Sequence, residues 1–174
     1  MMTNFKEDLA KVKAFVFDID GVLSLQTIAL NAFGVPNRTV NLRDGYAVQL
    51  AVKKGYFVAV ISGSNSKEYM KRLKQLGVKD VYLNSRSKLE HFNTFLRKHD
   101  LDKNDVLFMG DDIPDYEVMK VAGVPVCPAD ADSEIKQVAL YVSDKRGGEG
   151  CVRDVIEQVL RLHNKWMDTE GFIW

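Results

Sequence analysis

Five aspartates fall into two tight groups, Asp18 and Asp20 in Asp18-Ile19-Asp20-Gly21, and Asp111, Asp112 and Asp115 in Gly110-Asp111-Asp112-Ile113-Pro114-Asp115. Each group follows directly on a short apolar run, 14–17 before the first and 106–109 before the second. If both runs are parallel strands, their carboxyl ends meet at one crevice, and carboxylates brought together there repel unless a cation lies between them. A hard divalent ion, Mg2+, suits two or three aspartates completed by water and a phosphate. Ser62-Gly63 stands at the end of the run 56–61, and Lys88 follows the run 81–83. A hydroxyl, nearby backbone amides and an ammonium are groups that cradle a phosphoryl group. The set points to phosphoryl transfer. One aspartate attacks phosphorus, a carboxyl two residues later protonates the leaving oxygen, and the cation with Lys88 offsets the charge on the transferring group.

Each group also has a plainer reading. Asp-x-Asp-Gly can open a calcium loop, but no third loop ligand follows and the twelfth position holds no glutamate, so that reading fails. Gly-Asp-Asp can simply cap a helix. His91, His99 and His163 fall in helical segments with no acid or cysteine at ligand spacing, which suits a solvated or core-edge position. Lys71-Arg72-Leu73-Lys74 reads as a wet helix face.

The elements that must position these groups can be read from the apolar pattern. Five short runs, 14–17, 56–61, 81–83, 106–109 and 124–127, read as buried strands. Between them lie segments of helical period, such as Tyr69, Met70, Leu73 and Leu76 before Gly77, or Leu89, Phe92, Phe95 and Leu96. This alternation predicts one three-layer α/β domain over residues 1–174 with a mostly parallel sheet. Residues 24–42 lack helical period and carry two stretches of β character, Thr27 to Leu30 and Thr39 to Leu42, on either side of Phe33-Gly34-Val35-Pro36-Asn37. They predict a hairpin that projects from the sheet. A two-stranded ribbon is marginal alone in water, so its apolar residues call for burial against a second subunit. The stretch 166–174 ends in Gly171-Phe172-Ile173-Trp174, too apolar to fray freely, and is expected to dock.

Composition narrows the partners. Lysine and arginine together number 24, aspartate and glutamate also 24, so nothing favours nucleic acid or an anionic membrane, and any anionic ligand must be bound locally. Cys127 and Cys151 lack the spacing of a zinc or redox pair. The opening residues have no apolar core of signal-peptide length. The expectation is a cytoplasmic protein.

Taken in order, Asp18-Ile19-Asp20-Gly21-Val22, Ile61-Ser62-Gly63, Lys88 and Gly110-Asp111-Asp112-Ile113-Pro114-Asp115 resemble the four motifs of the haloacid dehalogenase superfamily. The resemblance implies a Rossmann-like core, Asp18 as a nucleophile that forms an aspartyl-phosphate, and Asp20 as general acid and then base. It implies Ser62 and Lys88 as phosphate holders, and Mg2+ bound by Asp18, Asp111 and the main-chain carbonyl of Asp20. Asp112 and Asp115 would serve as an outer ligand or as the partner that orients Lys88. Both places where the superfamily inserts a cap domain are short here, so no cap is expected.

Within that superfamily the chain resembles the uncapped sugar-acid phosphate phosphatases over nearly its whole length. Asn41-Leu42-Arg43-Asp44-Gly45-Tyr46 resembles their segment after the hairpin, and Lys145-Arg146-Gly147-Gly148-Glu149-Gly150-Cys151-Val152-Arg153 their glycine-rich loop. The resemblance implies hydrolysis of octulosonate 8-phosphate for surface-polysaccharide (lipopolysaccharide) synthesis. It also implies a homotetramer whose hairpins form a central barrel, with adjacent subunits completing each active site and the C-terminal tail able to cover it. The nine-carbon sugar acid 9-phosphate is the alternative substrate, and a domain that serves mainly in assembly the alternative role. Two residues after Ser62 those relatives carry arginine or glutamate, whereas this chain has Ser64. Substrate contacts are therefore expected from Ser62, Gly63, Ser64 and Lys88, with Arg43, Arg86 or Arg146 for a carboxylate, which guanidinium binds bidentately.

Overall fold

The computed structural model describes residues 5–173. In chain order these form α1 (Phe5–Leu9), β1 (Ala14–Phe17), α2 (Leu42–Lys53), β2 (Phe57–Ile61), α3 (Lys67–Gln75), β3 (Asp80–Tyr82), α4 (Lys88–His99), β4 (Val106–Met109), α5 (Tyr116–Val121), β5 (Val124–Cys127), α6 (Ser133–Val138), β6 (Tyr141–Val142) and α7 (Cys151–Leu162). The six strands make one all-parallel sheet in the order β3-β2-β1-β4-β5-β6. The expected α/β class and parallel sheet are present, and no cap domain is inserted. A sixth strand, two residues long, joins the five expected.

Strand alternation divides the core into two layers. Phe15, Phe17, Val58, Val60, Leu107 and Met109 face the helices α2, α3 and α7, packing on Val48, Leu73, Val155 and Val159. Ala14, Val16, Ala59, Ile61, Val106 and Phe108 face the other way, onto Phe92 and Phe95 of α4, Met119 of α5 and Ile135 of α6. Both faces of the sheet are thus covered, as a parallel sheet requires. Among the described residues no helix is long and apolar enough to cross a membrane.

Helix starts follow local side-chain chemistry. Asn41 accepts the amides of Arg43 and Asp44 at the start of α2, Ser66 that of Tyr69 at α3, and Ser87 that of Glu90 at α4. Gly150, before α7, has no side chain to do this. Instead Asp44 reaches across from α2 and accepts the Arg153 amide at 2.7 Å. Burial pushes Asp44 up to about 6, even though this amide and that of Gly150 favour its charged form, and its Oδ2 has no hydrogen-bond partner.

The excursion after β1 is a hairpin, but its paired stretches are shorter and placed differently from expectation. Leu30 bridges Pro36 antiparallel, Asn37 donates to the Ala29 carbonyl at 2.9 Å, and Asn31 donates to Val35 at 2.8 Å. In this pair the backbone nitrogens of Leu30 and Pro36 point away from the partner arm, so a proline is accommodated without loss of a ladder bond. The second arm does not run through Thr39 to Leu42. Thr39 is held by side chains, its amide donating to Ser24 Oγ and its own Oγ1 accepting from Leu25, and Asn41 has already begun α2. The tip is exposed, with Phe33 90% and Leu30 62% accessible.

The C-terminal segment docks on its own domain. Trp166 meets Tyr46 edge-on at 6.2 Å, and the guanidinium groups of Arg153 and Arg161 lie on its ring at 5.2 and 5.7 Å. Lys54 binds Asp168 and Glu170, and the Tyr46 hydroxyl donates to the Gly171 carbonyl. Lys54 follows the last turn of α2, at the edge of the sheet away from Asp18. Phe172 and Ile173 remain exposed, and Trp174 lies outside the described residues.

Candidate active site

The strand order changes direction between β1 and β4, the place where a doubly wound sheet opens a crevice at its carboxyl edge. Phe17 and Met109 are register partners, so Asp18 and Asp111 leave the sheet on neighbouring strands. The amide of Asp18 donates to the Met109 carbonyl at 3.2 Å, which carries the pairing one residue further. Ser62 continues β2 in the same way, its amide donating to Tyr82 at 2.9 Å.

Lys88, on the first turn of α4, ties the site together. Its Nζ lies 2.9 Å from Asp18 Oδ2 and 2.6 Å from Asp115 Oδ1, with all three side chains buried. Burial opposes the lysine charge, but the two carboxylates outweigh it and hold Lys88 firmly protonated. Asp115 is fully buried, and its Oδ2 accepts the Asp111 amide at 3.1 Å. Asp115 therefore orients Lys88 and braces the loop after β4, while exposed Asp112 caps the turn at Ile113.

Carboxylate oxygens of Asp18, Asp111 and Asp115 lie within 4.8 Å of one another. Burial, with the neighbouring Asp115 charge adding to it, raises Asp18 above its ordinary range despite Lys88. Burial and the charges of Asp18 and Asp115 push Asp111 up to about 8. Asp111 Oδ1 is buried with no hydrogen-bond partner. A raised acid cluster holding an unpaired carboxylate oxygen is what a hard cation relieves, and the donors are all oxygen, so the residues fit Mg2+. Asp18 and Asp111 would hold it. Asp115 is already engaged by Lys88 and the loop amides.

The turn that carries Asp20 permits no bulk. Gly21 has φ +81°, and a Cβ there would lie 1.9 Å from Asp111 Oδ2. Gly147, in the glycine-rich loop, would place a Cβ 1.9 Å from the Gly21 carbonyl oxygen, so that loop buttresses the turn from behind.

A cleft of about 500 Å3 opens over these groups, and Asp18, Asp20, Ser62, Gly63, Ser64, Arg86, Lys88 and Asp111 all line it. Arg43 does not. It projects from the first turn of α2 into a larger groove of about 760 Å3 beside α7. That groove holds no nucleophile facing paired acids, since Glu157 is matched by Arg153 and Arg161, and Asp154 accepts the hydroxyls of Tyr141 and Ser143. Within a single chain Arg43 thus lies outside the cleft lining, in the groove beside α7. Arg146 is exposed and pairs loosely with Asp130 at 3.5 Å.

Three further residues line the cleft or touch its groups without a role expected from the sequence, and His91, expected at a solvated or core-edge position, is bonded to one of them. Arg38 grips both oxygens of Asp20, at 2.8 and 2.9 Å, and Gln26 Nε2 lies 3.5 Å from Asp111 Oδ2. Both stand in the hairpin, whose apolar residues dominated its reading. Ser85 lines the cleft and shares a hydrogen bond of 2.7 Å with His91 Nδ1. The six-residue separation of that pair matches no motif and becomes a contact only through the loop before α4.

The pattern of the haloacid dehalogenase-like hydrolases matches residues 80–155. The chain is 32% identical to the 3-deoxy-D-manno-octulosonate 8-phosphate phosphatase of Salmonella typhi, over 92% of this chain and 85% of that relative. The crystal structure of the corresponding phosphatase from Yersinia pestis superposes with a TM-score of 0.89 at 30% identity, covering 92% of this chain and 87% of that one. The Moraxella catarrhalis phosphatase, solved in complex with magnesium, phosphate and KDO, superposes at 0.88 with 27% identity, over 92% and 93% of the two chains. The motifs, the parallel strand order and the paired aspartates at its switch point agree with those likenesses, and the chain belongs to the 3-deoxy-D-manno-octulosonate 8-phosphate phosphatase family of haloacid dehalogenase-like hydrolases.

Proposed function

We propose that this protein is a Mg2+-dependent phosphatase that hydrolyses 3-deoxy-D-manno-octulosonate 8-phosphate to the free sugar acid and phosphate. The observation that carries this reading is the buried Asp18–Lys88–Asp115 chain beside Asp111. It fixes a carboxylate nucleophile against an ammonium at the mouth of an uncapped cleft.

Asp18, held by the Ile19 amide at 2.7 Å and by Lys88, attacks phosphorus, and the bond from phosphorus to the sugar oxygen breaks. Asp20 gives its proton to that oxygen. Both Asp20 oxygens are engaged by Arg38 in the free protein, so this pair must part for the proton to be delivered. In the second half Asp20 takes a proton from water, the water oxygen attacks phosphorus, and the bond to Asp18 breaks to release phosphate. Ser62, the Gly63 backbone and Lys88 hold the phosphoryl oxygens throughout. Asp18, Asp111 and the Asp20 carbonyl would hold Mg2+, which would supply positive charge to offset the negative charge of the nucleophile and the phosphate. Arg86, which is exposed and lines the cleft, would meet the carboxylate of the sugar acid, since guanidinium binds carboxylate bidentately.

The apolar hairpin tip supports a homotetramer in which hairpins bury one another and Arg43 of one chain faces the cleft of the next. Two buried, unpaired cysteines, whose thiols burial pushes up, suit the reducing cytoplasm. The test is steady-state phosphate release with Mg2+ on octulosonate 8-phosphate, the nine-carbon 9-phosphate, hexose phosphates and p-nitrophenyl phosphate. A kcat/KM on the octulosonate ester at least tenfold above every other is expected. Equal rates across the panel, or preference for another ester, would overturn the substrate assignment.

A further inference from the structure

His91 is immobilised in a way that a solvated helix histidine is not. Its ring stacks on Tyr82 at 5.1 Å with a 28° tilt, and Nδ1 is bonded to Ser85 Oγ at 2.7 Å. His91 stands one turn after Lys88 on α4, so one helix face presents an ammonium to the phosphate and an imidazole to the neighbouring loop. That loop is fixed by its backbone. Asn84 adopts φ +52° and donates to the Ser64 carbonyl at 2.9 Å, and Ser85 donates to the Ser62 carbonyl at 3.0 Å. The two loops that carry the hydroxyls of Ser64 and Ser85 are thus joined, and both residues line the cleft. Ser64 Oγ is buried without any partner. An unpaired buried hydroxyl is unfavourable until something in the cleft satisfies it.

We propose that Ser85, oriented by His91, forms with Ser64 a wall that reads the hydroxyl groups of the substrate next to its phosphate, and so selects polyhydroxylated phosphate esters. With the imidazole protonated on Nε2, the Ser85 hydroxyl donates to Nδ1 and leaves its lone pairs for a substrate hydroxyl. With the proton on Nδ1, the ring donates and the Ser85 hydrogen is left for the ligand. Either way one side of the serine is committed and the other points to a fixed place. His91 is here a positioning residue, acting through Ser85. The proposal deepens the phosphatase reading and rests on it.

The test compares kcat/KM on octulosonate 8-phosphate with that on p-nitrophenyl phosphate, which carries no hydroxyl beside its ester, in wild type, His91→Phe, Ser85→Ala and the double variant. His91→Phe keeps a ring over Tyr82 and removes both ring nitrogens, among them the Nδ1 that binds Ser85. In His91→Phe and in Ser85→Ala alike, the ratio of the two values should fall tenfold to a hundredfold, mainly through a higher KM for the sugar ester. The double variant should fall no further than either single one, and His91→Asn, whose amide sits near the place of Nδ1, should regain part of the ratio. An unchanged ratio in Ser85→Ala, or equal losses on both esters, would overturn the proposal; Ser85→Ala decides it alone should His91→Phe fold poorly. A wild type that prefers a different polyol phosphate would overturn the octulosonate assignment only, and the ratio would then be read on that ester. A wild type with no preference for any polyol phosphate would overturn both.

Discussion

Each carboxylate of the cleft has a role set by what surrounds it. Asp115 is saturated by Lys88 and loop amides, Asp18 keeps one contact to Lys88, and Asp111 keeps an oxygen with no partner at all. Replacing Asp18 by Asn should lower turnover by about 10^3-fold or more while circular dichroism stays native, since a carboxamide cannot form the phosphorylated intermediate. Full activity in that variant would remove Asp18 as nucleophile. Asp111 predicts a pH effect of definite sign. Burial and the charges of Asp18 and Asp115 push its carboxyl up to about 8 from the usual aspartate range of about 4, so the folded state binds the extra proton between those limits and stability falls as pH rises through them. Asp111→Asn should therefore flatten the decline in Tm of chelator-treated protein between pH 5 and 8. It should also abolish the rise in Tm that Mg2+ gives wild type; a Mg2+ increment equal to wild type would exclude Asp111 as ligand. Sequence motifs were enough to bring Asp18, Ser62, Lys88 and Asp111 to one place, because each lies within a few residues of a strand end. Arg38, Gln26 and the Ser85–His91 pair were not legible, because they reach the cleft by the path of a loop and not by strand register.

Strands and helices were legible where apolar runs were long enough to show a period. β6, with two residues at the sheet edge, was too short for that. The hairpin's first arm lies one to two residues and its second arm four to five residues from the expected stretches, because Thr39 is tied to Ser24 by side chains and Asn41 already caps α2. The start of α7 shows how elements depend on one another: Asp44 of α2 supplies the cap that Gly150 lacks. Buried and raised to about 6, Asp44 destabilises the fold as it ionises between pH 4 and 6. Asp44→Asn keeps a carbonyl for the Arg153 amide, so its Tm should vary less with pH across that window than the wild type's; parallel curves would show that Asp44 is not the group responsible. The glycine-rich loop makes a harder demand. A methyl at Gly147 meets the Gly21 carbonyl, and Gly147→Ala should destabilise by about 2–4 kcal/mol, read as a drop in the urea midpoint. A drop below about 0.5 kcal/mol would mean the loop can retreat without consequence.

At the scale of the whole molecule, exposed apolar residues mark what a single chain leaves unfinished. Phe33, Leu30, Val35 and Val40 cluster on the hairpin and Leu42 follows it, too many for a surface that meets only water. Light scattering should give a tetramer, four times the 19.7 kDa of one chain, and Phe33→Asp should release smaller species. A wild-type monomer would leave the hairpin without a purpose. The strand order carries a different implication, for synthesis on the ribosome. β1 lies at the centre of the sheet yet is made first, and its neighbours β2 and β4 begin only at Phe57 and Val106. A nascent chain therefore holds Asp18 just past a strand with one side unpaired until more than a hundred residues have emerged, a long-range closure that slows folding and leaves an edge open to other chains. Mg2+ cannot help in that interval, because half of its site has not yet been translated.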